Sequence, residues 1–148
     1  MAVAERRATV VWNGQLTDGS GTLNLESSGV LREAPVTWAS RTEQPNGKTS
    51  PEELLAAAHA SCFAMAFAAT LARQNTPPQR LSVAAVCALD RREGGGFRVA
   101  TMTLEVHGAV PGLDQAGFAA AAQTAEQGCP ISNALRGNVE VRVNATLE

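Results

Sequence analysis

The sequence predicts an α+β fold, and three observations predict it. Alternating apolar residues mark strands near both ends of the chain, as in Thr22-Leu23-Asn24-Leu25 and Val139–Leu147. Between them lies an apolar run, centred on Ala56–Ala66, that is too long and too rich in alanine for a strand. The two longest strand signals, Leu81–Asp90 and Phe97–Gly108, are separated only by a glycine-rich turn and pair as a hairpin.

The elements follow in chain order. Val10, Val11 and Trp12 start a first strand, Asp18-Gly19-Ser20-Gly21 supplies a turn, and Thr22–Leu25 returns. A short third strand is expected at Ala34–Trp38, and Ser40–Ser50 reads as a polar surface loop. Ser50 then caps a helix whose first residue is Pro51, with Glu53 completing a capping box and Glu52 favouring the positive end of the dipole. That helix runs to about Gln74, where Asn75-Thr76-Pro77-Pro78 stops it. It is apolar nearly all round, which predicts burial on most sides. After the hairpin across Arg91–Gly96, Asp114 caps a helix to about Gln127, and Pro130–Leu135 forms a short one. Val139, Val141, Val143, Ala145 and Leu147 give the last strand one apolar face. The expected order is β-β-β-α-β-β-α-α-β, a single domain over 1–148, with helices on antiparallel sheet.

Composition narrows the function classes. The 148 residues suffice for one domain with a core, and 45% apolar and 18% charged content is ordinary for a folded protein. Aromatic content is only 4% and tyrosine is absent, so alanine, valine and leucine must build the core. Small side chains bury little area each, which makes a subunit interface an attractive source of further burial. A net charge of −2 offers no electrostatic footprint for nucleic acid or an anionic membrane. The first residues, through Glu5-Arg6-Arg7, carry charge where a signal peptide needs an apolar region. His59, Ser61 and Thr70 interrupt the longest apolar run, so no stretch is expected to reach the roughly 18 apolar residues of a membrane span. These features predict a cytoplasmic protein. Three thiols in a reducing compartment point to catalysis, metal binding or burial rather than structural disulfides.

Cys129 stands in Gly128-Cys129-Pro130, between the end of one helix and the start of the next. Free N–H groups at a helix start stabilise a thiolate, so Cys129 reads either as an activated thiol or as a buried cysteine beside a turn. Cys62 lies mid-helix among alanines, where burial raises a thiol pKa and leaves it inert without a cation. The candidate neighbours are His59, one turn earlier, and Arg41 in the loop before the helix. His59 reads first as a hydrogen-bonded packing histidine and Arg41 as a solvated loop charge. Cys87, in an apolar strand with no adjacent base, reads as core. His59, Cys62 and Cys129 are ligand types that zinc accepts, although structural zinc sites usually have two close-spaced pairs and here there is one.

The stretch Thr49–Ala66 strongly resembles the OsmC (osmotically inducible protein C) branch of the OsmC/Ohr superfamily of thiol peroxidases. Similar motifs occur at Gly21-Thr22-Leu23 through Ser28-Gly29-Val30-Leu31, at Ala109–Asp114 and at Gly128-Cys129-Pro130-Ile131-Ser132. His59 resembles the OsmC branch, because the organic-hydroperoxide-resistance branch usually has an aromatic there. The resemblance implies an OsmC-like fold with a long buried central helix carrying Cys62, in an intertwined homodimer. It implies a peroxidase that favours organic hydroperoxides over hydrogen peroxide, in oxidative or osmotic stress defence, with no metal or prosthetic group. By position, Cys62 matches the peroxidatic cysteine, Cys129 the resolving one, Arg41 the arginine that activates the thiolate, and Glu52 the acid that pairs with the arginine. The loop around Arg41 departs from the usual family pattern. The implied cycle needs an external dithiol, such as a lipoyl-type reductant. The competing expectations are a dithiol redox sensor or binding protein without efficient turnover, and a zinc-stabilised domain.

Glu52 precedes Cys62 by ten residues, about 15 Å of helical rise. Its carboxylate must therefore act through Arg41, come from the partner subunit, or sit where the helix is broken.

Overall fold

A computed structural model describes residues 1–148, which form two compact units, Met1–Pro51 and Glu52–Glu148. In the first, β1 (Thr9–Asn13), β2 (Ser20–Asn24) and β3 (Ala34–Val36) make a three-stranded antiparallel sheet in that order. The predicted hairpin is present. Gly21 sits where a Cβ would lie 2.6 Å from the Val36 side chain and 2.9 Å from Trp12, so only glycine lets β2 run between them.

One element differs from the sequence expectation. The segment predicted as loop from Ser40 begins inside a short helix, α1 (Trp38–Thr42). Thr37 caps it by accepting the Ser40 backbone N–H at 3.0 Å, and Ser40 Oγ accepts the Thr37 N–H at 3.0 Å. This is a capping box with serine in the position usually held by Glu or Gln, which hides it from a motif reading. Ser40 Oγ also bonds the Thr49 carbonyl at 3.0 Å and ties the following loop back.

The second unit is organised around α2 (Pro51–Arg73), an unbroken 23-residue helix. Its C-terminus is a Schellman motif: Asn75 takes a left-handed φ of 59°, Thr76 N–H bonds the Leu71 carbonyl and Asn75 N–H that of Ala72, each at 3.0 Å. β4 (Arg80–Arg91) and β5 (Phe97–Ala109) then form the expected antiparallel hairpin. After α3 (Gln115–Gly128) and α4 (Pro130–Leu135), β6 (Glu140–Leu147) joins the far side of β5.

This last pairing is parallel, not antiparallel as expected. The chain between β5 and β6 contains both α3 and α4, long enough to carry it back to the starting end of β5, which a tight hairpin cannot do.

Strand periodicity builds the core. Met102, Leu104 and Val106 of β5 are fully buried, flanked by Val83 and Ala85 of β4 and by Val141, Val143 and Ala145 of β6. Against Leu104 and Val106 pack Phe63, Phe67 and Leu71 of α2 and Phe118, Ala121 and Ala122 of α3. The rings of Phe63 and Phe67 lie 5.6 Å apart, and those of Phe67 and Phe118 lie 5.0 Å apart, both tilted. Three phenylalanines thus supply the bulk that the alanines lack.

Two expectations about α2 require correction. The helix is long and apolar enough to cross a membrane by length and composition, contrary to the sequence reading. The polar residues taken as interruptions are themselves absorbed: His59 and Thr70 are buried beside Phe63, Phe67 and Leu71, so this face is a core face. Nor is the helix buried on most sides. Ala57, Ala58, Ser61, Met65 and Ala69 form an outward stripe at helical spacing, with Met65 68% exposed.

Candidate active site

Cys62 and Cys129, distant in sequence, meet in the second unit. Cys62 projects from the middle of α2 and packs against the core cluster that contains Cys129, close enough for the two thiols to influence each other. Both thiols are free. Their exposures differ. Cys129 is 0% exposed and belongs to the core, whereas Cys62 is half-buried and borders an open cavity of about 380 Å³.

The cavity is mostly apolar along α2, with Met65, Ala66 and Ala69 on one side and Ala125 and Pro130 across from them. Its polar residues are Thr70 and Arg73, whose guanidinium donates to Thr70 Oγ at 3.1 Å. Of the two residues that lie near Cys62 in sequence, readable as core or as the lining of an apolar pocket, Met65 lines the cavity and Phe63 is core, whereas Arg73 carries no sequence signal for the site. Arg73 reads as an ordinary last-turn cation that suits the helix dipole.

The short helix α4 supplies the main surprise. Cys129 is its N-cap residue, as expected, but its side chain makes no capping hydrogen bond. The backbone N–H of Ile131, the second residue of α4, acts instead on the Cys62 thiol. Burial pushes the Cys62 thiol above its ordinary value; the Ile131 N–H pulls it down, and the neighbouring Cys129 pushes it up again. The helix-start stabilisation anticipated for Cys129 therefore acts on Cys62. Gly128, which as a glycine suits the left-handed position just after a helix, is instead the last residue of α3 and does not adopt a left-handed φ.

His59 is a fully buried histidine hydrogen-bonded through Nε2 to Ser132 Oγ at 2.7 Å. Its packing role was expected; its partner was not. Burial lowers the imidazole pKa from the ordinary 6.5, opposed by the charge of Glu126. Glu126 is itself paired with Arg136 at 3.0 Å. No group of three His, Cys, Asp or Glu side chains is arranged to hold a metal ion, so His59, Cys62 and Cys129 do not form the ligand set considered above.

Glu52 and Arg41 are the other two candidates. Glu52 is buried in the first turn of α2, and continuity of that helix rules out a break that would bring it toward Cys62 along the same chain. Its charge reaches Cys87 on β4, a half-buried thiol raised first by burial and then by Glu52. Cys87 is half-buried and stands outside the main core cluster, contrary to the core reading, and the charge that acts on it is an acid, not a base. Arg41 belongs to the first unit, in the last turn of α1 rather than in a loop, with its guanidinium 5.9 Å from the Trp38 ring centroid.

Residues 44–144 match the OsmC family, described as OsmC-like protein. The chain is 38% identical over 128 residues to peroxiredoxin OsmC of Escherichia coli, covering 86% of this chain and 87% of that protein. It is 37% identical over 98 residues to an organic hydroperoxide resistance protein of Xanthomonas axonopodis pv. citri, covering 63% of each. The crystal structure of the organic hydroperoxide resistance protein OhrB of Bacillus subtilis superposes with a TM-score of 0.75 at 28% identity, over 95% of this chain and 98% of that one. With the family match spanning both cysteines and the fold shared along nearly the whole length, the chain belongs to the OsmC/Ohr superfamily.

Proposed function

We propose that this protein is a cysteine-based peroxidase that reduces organic hydroperoxides, and hydrogen peroxide less efficiently, in oxidative or osmotic stress defence. The observation that carries the reading is the unequal exposure of two adjacent thiols: Cys62 borders an apolar cavity and Cys129 is sealed beside it. The names of the relatives, a peroxiredoxin and organic hydroperoxide resistance proteins, support the same chemistry.

In the proposed cycle the Cys62 thiolate attacks the terminal peroxide oxygen. An S–O bond forms, the O–O bond breaks, and the alkoxide leaves and takes up a proton to become an alcohol, while Cys62 becomes a sulfenic acid. The Cys129 thiolate attacks the Cys62 sulfur, the S–S bond forms, and hydroxide leaves as water on protonation. An external dithiol, of lipoyl type in this reading, reduces the disulfide by two exchange steps and becomes a disulfide itself. No metal or prosthetic group takes part.

Cys62 needs more stabilisation than Ile131 gives, because burial dominates its pKa. Arg41 is proposed to supply the cation and Glu52 to orient Arg41, either within one chain or across a homodimer. The dimer is supported by the apolar outward stripe of α2 and by exposed Val10, Val11 and Val30 in the first unit. The substrate and reductant are small molecules in the cytoplasm; nucleic acid and membrane have no part in the cycle.

The test is steady-state turnover of cumene hydroperoxide against hydrogen peroxide, each with a dithiol and with a monothiol donor. The reading expects faster turnover of cumene hydroperoxide and a requirement for the dithiol. One round of oxidation without turnover under any donor would favour a redox sensor instead.

A further inference from the structure

α2 and α4 face each other through two matched pairs of residues. His59 and Cys62 are three positions apart on α2 and so share a face, one turn apart. Cys129 and Ser132 are likewise three apart, the N-cap and third residue of α4. His59 meets Ser132, and Cys62 meets Cys129. The first pair is a 2.7 Å hydrogen bond between two side chains that are each 0% exposed. In that setting a hydrogen bond is strong and geometrically demanding, since losing one partner leaves the other buried and unsatisfied.

The tautomer follows from the same environment. Nδ1 of His59 is buried without a hydrogen-bond partner. A bare acceptor is less costly there than an orphaned N–H, so the proton sits on Nε2 and is donated to Ser132 Oγ.

The seat of α4 matters because it is only 6 residues long and its N-cap side chain makes no capping bond. Its far end is tethered by Arg136, which pairs with Glu126 of α3. Its near end, which carries Cys129, is tied to α2 by His59.

We propose that His59 and Ser132 are positioning residues for disulfide formation: their hydrogen bond holds the Cys129 sulfur at Cys62, so that resolution outruns a second oxidation. The inference rests on the reading of Cys62 and Cys129 as attacking and resolving thiols. The step served is attack of the Cys129 thiolate on the Cys62 sulfenic sulfur, forming S–S, breaking S–O and releasing hydroxide that protonates to water. Neither positioning residue touches the peroxide.

The experiment separates the two chemical steps. Reduced protein is mixed with one equivalent of cumene hydroperoxide, and samples are trapped over time with dimedone and with a thiol alkylator for mass spectrometry. Ser132→Ala and His59→Leu should form sulfenic acid near the wild-type rate but form the disulfide about tenfold or more slowly, as expected for a displaced reacting group. Dimedone adducts and, with excess peroxide, sulfinic acid at Cys62 should accumulate. His59→Gln, whose amide nitrogen can occupy the place of Nε2, should restore resolution. Circular dichroism confirms that each variant is folded. Wild-type resolution in folded Ser132→Ala and His59→Leu would overturn the proposal, as would equal slowing of both steps. If the wild type forms no Cys62–Cys129 disulfide, the peroxidase reading falls first and this inference falls with it.

Discussion

The backbone of Ile131, in the first turn of α4, pulls the pKa of Cys62 down, while Cys129, the residue that begins that helix, leaves its own side chain uncapped. This relationship reverses the assignment that helix-end physics suggests for the two thiols. The donor belonging to one cysteine's helix is used by the other. That one N–H opposes burial, and burial remains the largest influence on Cys62.

Arg41→Ala therefore tests the source of the remaining stabilisation. The variant should raise the Cys62 pKa by about one unit or more, the effect expected from removing a close opposite charge. The pH profile of Cys62 alkylation, read by mass spectrometry, should move to higher pH. An unmoved profile would remove Arg41 from the site.

The cavity predicts substrate discrimination. Ala69 borders it on the outward side of α2, where a larger side chain does not disturb the core. Ala69→Phe should lower kcat/KM for cumene hydroperoxide by about tenfold through misplacement of a bulky substrate. Hydrogen peroxide, which needs little room, should be affected much less. Equal losses for both substrates, with the oligomeric state unchanged by light scattering, would show that the cavity is not the route to Cys62.

His59 gives a pH dependence of stability with a definite sign. Its folded pKa is lowered by burial, against the opposing charge of Glu126, from an ordinary value of 6.5. Below that value the unfolded chain binds a proton that the folded chain resists, so the contribution is present above 6.5 and is lost as pH falls toward the lowered folded value. The denaturation midpoint of the wild type should drop further than that of His59→Gln between about pH 7.5 and pH 5.5. Parallel curves would refute it.

Gly108 tests the packing beneath the site. A Cβ there would lie 2.6 Å from the tip of Phe118, which in turn stacks on Phe67 of α2. Gly108→Val should lower the unfolding free energy by about 1–3 kcal/mol through overpacking, measured by denaturant titration. An unchanged midpoint would mean that the ring moves aside freely.

Much of the fold was legible because its signals are local. Ser50-Pro51 and Asn75–Pro78 bracket α2 in the sequence, and the observed helix ends within a residue of the expected point. The short α1 was not legible because Ser40 does the work usually done by Glu or Gln in a capping box. The direction of β6 was hidden because alternation reports a buried face but not which way a strand runs.

At the site, the two cysteines were legible as residues, and their roles came from the family resemblance, because helix-end physics by itself points to Cys129. Helix capping is a local rule, whereas the Ile131 N–H reaches Cys62 only through the packing of α4 on α2. Ser132 was invisible for the same reason, since a serine in the first turn of a helix looks like a local residue until His59 meets it. Cys87 was read as core from its strand, and its half-buried position outside the main core cluster, under the charge of Glu52, came only with the fold.

The central claim is that Cys62 takes the oxidising oxygen and Cys129 resolves it. Peptide mapping under non-reducing conditions, after one equivalent of cumene hydroperoxide, tests it most directly. The account predicts a Cys62–Cys129 linked peptide with Cys87 still open to alkylation, no oxidation of Cys62→Ser at Cys129, and a trapped Cys62 sulfenic acid in Cys129→Ser. An alkylatable Cys62 after oxidation of the wild type, or a disulfide that includes Cys87, would contradict it.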